Sequence, residues 1–106
     1  MLPVELRTPN EITRLVAARV RELRLNRGWT QQELADRAGV TLATYRRFER
    51  TGRIAFDRLL KIAVVLDARS GFDQLFTLPP ARSLAELAAR SEPMTRQRGR
   101  RRLAEP

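Results

Sequence analysis

The sequence predicts an all-α fold, five short helices followed by a C-terminal extension. Two observations carry this expectation. Apolar residues recur at three- and four-residue steps in successive stretches, the period of one helix face. Capping residues and glycines punctuate those stretches and leave connections of about two to five residues, the spacing of a small helical globule. At 106 residues the chain holds one small domain plus tails. The core it can bury is modest, so a partner chain would add to its stability.

Residues 1–10 carry two prolines and no helical period, and read as an extended N-terminal arm. Asn10 is the expected N-cap of a helix over 11–27, with Glu11 favourable in its first turn. Ile12, Leu15, Val16, Val20 and Leu23 form the apolar stripe of that helix, and Gly28 ends it. Trp29 stands just before the next helix, where a hydrophobic staple on the core is expected and a binding aromatic is the alternative.

Thr30 N-caps a short helix, with Glu33 three residues on closing a capping box. Within Gln31–Ala38, Leu34 and Ala38 turn inward, and the small Ala35 allows another helix to approach closely. Gly39 stops the helix by taking positive φ without a Cβ penalty. Val40 plugs the turn, and Thr41 or Leu42 starts a second helix. Tyr45 and Phe48 form the apolar edge of that helix; Thr41, Thr44 and Arg47 form a polar edge. Two short helices about a tight glycine turn make a helix-turn-helix.

The spacing of Gln31, Ala35, Gly39, Val40, Tyr45 and Phe48 resembles the Cro/CI-type (XRE) helix-turn-helix of phage repressors, from about Val16 to Phe76. The resemblance implies a five-helix, lambda-repressor-like DNA-binding domain over residues 11–78. It also implies that the second helix of the motif enters the major groove of double-stranded DNA, whose width admits one α-helix. Carried over position by position, the base-reading residues fall on Leu42, Ala43, Thr44 and Arg47, with Arg46 beside them. Relatives carry glutamines at the first two of these positions. Leu42 and Ala43 can touch only thymine methyls, so readout here leans on Arg46, Arg47 and DNA shape. Phosphate contacts are expected where helix N-termini expose N–H groups, at Gln31, Gln32 and Thr41. Arg50 and Arg53, placed just past the recognition helix, add charge for the backbone, and Arg37 is a weaker candidate. Arg24 and Glu49 match positions that form a structural ion pair in the resembling repressors.

The remaining elements close the domain. Leu59, Leu60, Ile62, Ala63 and Leu66 mark a helix over 56–66, expected as the central core helix. A single turn over 72–76 adds Phe72, Leu75 and Phe76. In the resembling repressors the region of Phe72, Leu75, Phe76 and Leu78 is where copies pair, which implies a homodimer on a palindromic operator. Beyond Pro79 and Pro80, Ser83 and Glu86 form another capping box for a helix over 83–91 with Leu84 and Leu87 on one side. Arg96, Arg98, Arg100, Arg101 and Arg102 then form a basic tail: a minor-groove arm, a toxin-binding or proteolysis-prone segment, or a solubilising end. The extension spans 79–106.

Net charge is +9, and of 21 basic residues only Lys61 is not arginine. Codon bias of a GC-rich genome is one reading of the arginine-to-lysine ratio and selection for phosphate and guanine contacts the other. Codon bias explains neither the surplus of positive charge nor where it sits. Residues 11–55 hold ten arginines against five acids, 56–80 hold three of each sign, and 81–106 hold seven arginines against three acids. That layout is the electrostatic footprint of nucleic-acid binding. With no cysteine or histidine, no glycine-rich phosphate loop and no acidic pair in an evident pocket, neither catalysis nor a metal or cofactor is expected. No signal peptide or membrane-length apolar run is legible, so a cytoplasmic protein is expected. A small regulator with a short extension also resembles the HipB-type antitoxins, which implies autoregulation and a HipA-type toxin partner. The alternatives are a phage or general XRE regulator, or a coactivator-like module that uses the fold to bind proteins.

Overall fold

The computed structural model describes residues 2–91, and the chain divides into two compact units after Leu75. The first unit opens on a 3-10 turn, Val4–Leu6, followed by α1 at Pro9–Asn26. Helix α1 begins two residues before the predicted start because Thr8, not Asn10, is its cap. The Thr8 hydroxyl accepts from Glu11 N at 3.1 Å, and the Glu11 carboxylate accepts from Thr8 N at 2.9 Å. Pro9 then occupies N1, where its missing N–H costs nothing and its φ suits the helix.

Helices α2 (Gln31–Ala38) and α3 (Leu42–Thr51) are the two arms of the motif. Thr30 and Glu33 make the reciprocal capping box at 3.0 and 2.8 Å. Gly39 ends α2 at φ 73. Helix α4 (Phe56–Val65) follows, then a 3-10 turn at Arg69–Phe72. The single turn expected over 72–76 therefore lies three residues earlier; residues 73–76 are turn, and Phe76 takes φ 62. Among the described residues there are five α-helices and no strand, and no helix is long and apolar enough to cross a membrane.

Helix α1 packs on α3, and α2 packs on both α3 and α4. The largest fully buried side chains are Tyr45, Phe48, Leu34 and Ile62. Two of these four come from α3, so the motif itself supplies the centre of the core and α4 supplies one wall. Trp29 packs against this core, with the guanidinium groups of Arg27 and Arg37 over its ring at 5.2 and 4.4 Å.

Gly52 ends α3 at φ 81, and here a side chain is excluded twice. A Cβ on Gly52 would lie 2.9 Å from the carbonyl carbon of Thr13, so the end of α3 sits directly on the backbone of α1. A Cβ on Gly39 would meet nothing within 4 Å. There only the positive φ calls for glycine.

The second unit holds α5 (Leu84–Ser91). The Ser83 hydroxyl accepts from Glu86 N at 3.1 Å, while the Glu86 carboxylate accepts from Arg82 N and pairs with Arg90 at 2.9 Å. Leu84 and Leu87 are exposed.

Candidate nucleic-acid interface

Successive residues of an α-helix are rotated by about 100°, and in α3 this sorts the side chains sharply. Tyr45 and Phe48 point inward, 0% and 1% exposed. Ala43, Arg46, Arg47 and Arg50 share the opposite, exposed face. Leu42 and Thr44 lie on the two flanks, half-buried. Of the base-reading candidates, Ala43, Arg46 and Arg47 are thus outward, and Thr44 and Leu42 are marginal. Thr44 is also tied down: Thr41 Oγ1 donates to Thr44 Oγ1 at 2.9 Å and accepts from Thr44 N at 3.1 Å.

Arg50 is within α3, not beyond it, because the helix runs to Thr51 before the Gly52 cap. It stands three and four residues after Arg47 and Arg46, so the three guanidinium groups form one ridge with no acid on that face. Thr51 and Gly52, which end the helix in the sequence as in the structure, already place Arg50 in its last turn.

The side chains of three phosphate candidates are committed inside the protein. Gln32 Nε2 donates to Asp36 Oδ1 at 2.8 Å. The Thr41 hydroxyl proton goes to Thr44. Gln31 is engaged at both ends of its amide, with Nε2 donating to Glu49 Oε1 at 3.0 Å and Oε1 accepting from Arg46 Nε at 3.3 Å. Arg50 and Arg53 are exposed, and their side chains make no hydrogen bond or ion pair among the described residues. Arg37 is taken up by the Trp29 ring.

Behind the arginine ridge lies Glu49, with Arg24 opposite it. Arg24 Nε donates to Glu49 Oε2 at 2.7 Å and Nη2 to Oε1 at 3.3 Å; Nη1 donates to Trp29 O at 2.8 Å. Tyr45 OH also donates to Glu49 Oε2, and the side chains of Arg24 and Glu49 are 9% and 7% exposed. Burial alone would raise the pKa of Glu49, but the hydrogen bonds from Arg24, Tyr45 and Gln31 outweigh it and hold the carboxyl below its ordinary value. The hydrogen bond to Glu49 raises Arg24 in turn. Burial, then the bond to Glu49, pushes the Tyr45 phenol well up, so it stays a neutral donor. The inner edge of α3 is therefore pinned to α1 by a charged pair with every oxygen of the carboxylate in use.

Phe72 is half-buried and meets Phe56 edge-to-face, centroids 5.8 Å apart. Leu75 is exposed in the first unit; Phe76 and Leu78 are exposed in the second. The Arg96–Arg102 tail lies outside the described residues.

A helix-turn-helix whose second arm shows a ridge of three arginines over a pinned, apolar inner face defines a DNA-binding domain. Residues 20–71 match the family model for helix-turn-helix domains, a span that takes in the end of α1, all of α2, α3 and α4, and the start of the 3-10 turn. These residues form a helix-turn-helix domain of the Cro/CI-type, or XRE, kind, a DNA-binding type of domain. No curated protein matches it.

Proposed function

We propose that this protein is a sequence-specific transcriptional repressor that binds a palindromic operator as a homodimer, with α3 of each copy in the major groove. The observation that carries the reading is the outward ridge of Arg46, Arg47 and Arg50 on a helix whose other face is locked into the core. Ala43, one turn before that ridge, is small enough to let the helix backbone approach the base edges. Arg47 takes guanine O6 and N7 as a bidentate pair, while Arg50 and Arg53 contact phosphates and set position. One helix-turn-helix reads few base pairs, and pairing places two recognition helices about one turn of DNA apart. Such pairing is supported by the exposed Leu75 and the Phe72–Phe56 contact in the first unit, and separately by the exposed Phe76 and Leu78 in the second.

A gel shift with the protein's own promoter across a salt series tests this. Wild type is expected to keep its sequence preference as salt weakens overall binding. Arg47→Ala should lose about tenfold in operator affinity, with little change on scrambled duplex. Equal affinity for promoter and scrambled DNA at physiological salt would end the repressor reading.

Within this class the HipB-type antitoxin role, with autoregulation of its own operon, is favoured by the second unit. Its amphipathic α5 leaves Leu84 and Leu87 exposed, apolar side chains suited to a protein partner. A gene for a HipA-type toxin is expected beside this one. If the flanking genes encode no such protein, the toxin partner is removed and an XRE regulator remains.

A further inference from the structure

We propose that Gln31 is a positioning residue for base recognition: held by Glu49, its amide orients Arg46 so that the two terminal guanidinium nitrogens meet a guanine edge. This rests on the DNA-binding reading above and extends it to a residue whose own side chain is turned into the protein.

The chemistry of the chain of bonds is directional. An ionised carboxylate only accepts, so the Gln31 amide must turn its NH2 toward Glu49, where Nε2 lies 3.0 Å from Oε1. The opposite amide orientation would set two acceptor oxygens face to face. With the nitrogen committed, Gln31 Oε1 is turned toward α3 and accepts from Arg46 Nε at 3.3 Å. Glu49 cannot shift to release the amide, because Arg24 and Tyr45 hold it from the other side.

For Arg46 the consequence is a restricted set of donors. With Nε occupied, a side-on contact through Nε and one Nη is lost. The end-on fork of Nη1 and Nη2 remains, and neither atom has a partner among the described residues. Guanine offers two acceptors, O6 and N7, in the major groove, and an arginine fork matches them. The side chain also loses less rotamer freedom on binding than a free surface arginine does. Ala43, one turn earlier on the same face, brings the helix close enough for Arg46 to reach a base instead of the backbone.

The test uses Gln31→Met, which keeps side-chain length and helix propensity but removes both hydrogen bonds. In the free protein, nitrogen-15 NMR of the arginine Nε–H groups should show the Arg46 signal shifting and exchanging faster in the variant, while the Arg47 signal stays put. With DNA, a 7-deazaguanine scan of the operator should show one guanine whose N7 is worth about tenfold in wild type and much less in Gln31→Met. An Arg46 Nε–H signal indifferent to the substitution would overturn the proposal while leaving DNA binding intact. So would a fall in melting temperature with base discrimination unchanged, which marks Gln31 as merely structural. A change in salt slope of about one for Arg46→Ala with no deazaguanine effect would place Arg46 on phosphate and equally sink it. Should wild type show no sequence preference, the repressor reading and the guanine contact both fall, and the Arg46 signal alone would report that the bonded chain exists.

Discussion

Arg24→Ala is expected to lower the melting temperature by more than about 10 °C, far more than Arg50→Ala, although both remove one arginine. Removing one partner of a buried pair costs about 3–5 kcal/mol, because the charge left behind stays desolvated. In a domain of this size each kcal/mol moves the midpoint by about 4–8 °C. After the substitution Glu49 keeps only the neutral donors Tyr45 and Gln31, with Arg21 Nε no nearer than 4.0 Å. Arg50 is exposed and makes no ion pair among the described residues, and surface charges of that kind are worth at most about 1 kcal/mol. Thermal unfolding followed by circular dichroism compares the two, and equal losses would show that the pair contributes nothing. The same pair sets an acid limit. Glu49 sits below its ordinary value in the folded protein, so its contribution is complete above the unfolded carboxyl pKa of about 4.3 and is lost as pH falls through the lower folded value. Glu49→Gln should flatten that part of the stability curve and lower stability at neutral pH.

The second large effect is expected at Gly52. Gly52→Ala forces a Cβ into the left-handed region, at about 1–2 kcal/mol. It also drives that Cβ against the Thr13 carbonyl, where overpacking adds about 1–3 kcal/mol. Gly39→Ala meets only the first of these costs, since its Cβ would point into open space. Urea midpoints should therefore rank wild type above Gly39→Ala and both above Gly52→Ala. A reversed order for the two glycines would mean that α1 yields readily at Thr13. Operator binding gives a second readout, because an α3 displaced at its C-terminal end should bind less tightly even when folded.

The features legible in the sequence were those whose partners lie within one turn. The Thr30–Glu33 box, the Gly39 turn and the inward pair Tyr45 and Phe48 all follow from spacing alone. The Thr8–Glu11 box has the same signature, but Asn10 competes with Thr8 as a cap, and the choice rests on Pro9 being free to occupy N1. The uncapped segment after α4 carries no such signal, so the turn expected over 72–76 lies at Arg69–Phe72. What spacing could not show was the fate of Gln31. The carboxylate that captures it is 18 residues away, across the contact between α2 and α3. Likewise, that Leu42 and Thr44 sit at the margins of the outward face follows from how far α3 is rolled against α1 and α2.

The close seat of Gly52 on Thr13 has a mechanical consequence. Wedged there at one end and tethered through Glu49 along its inner edge, α3 is held to α1 at two points. With α3 as the DNA-reading helix proposed above, a helix held at two points leaves adjustment in the complex to the duplex. Operators whose steps bend or narrow cheaply would then be preferred even at base pairs no side chain reaches.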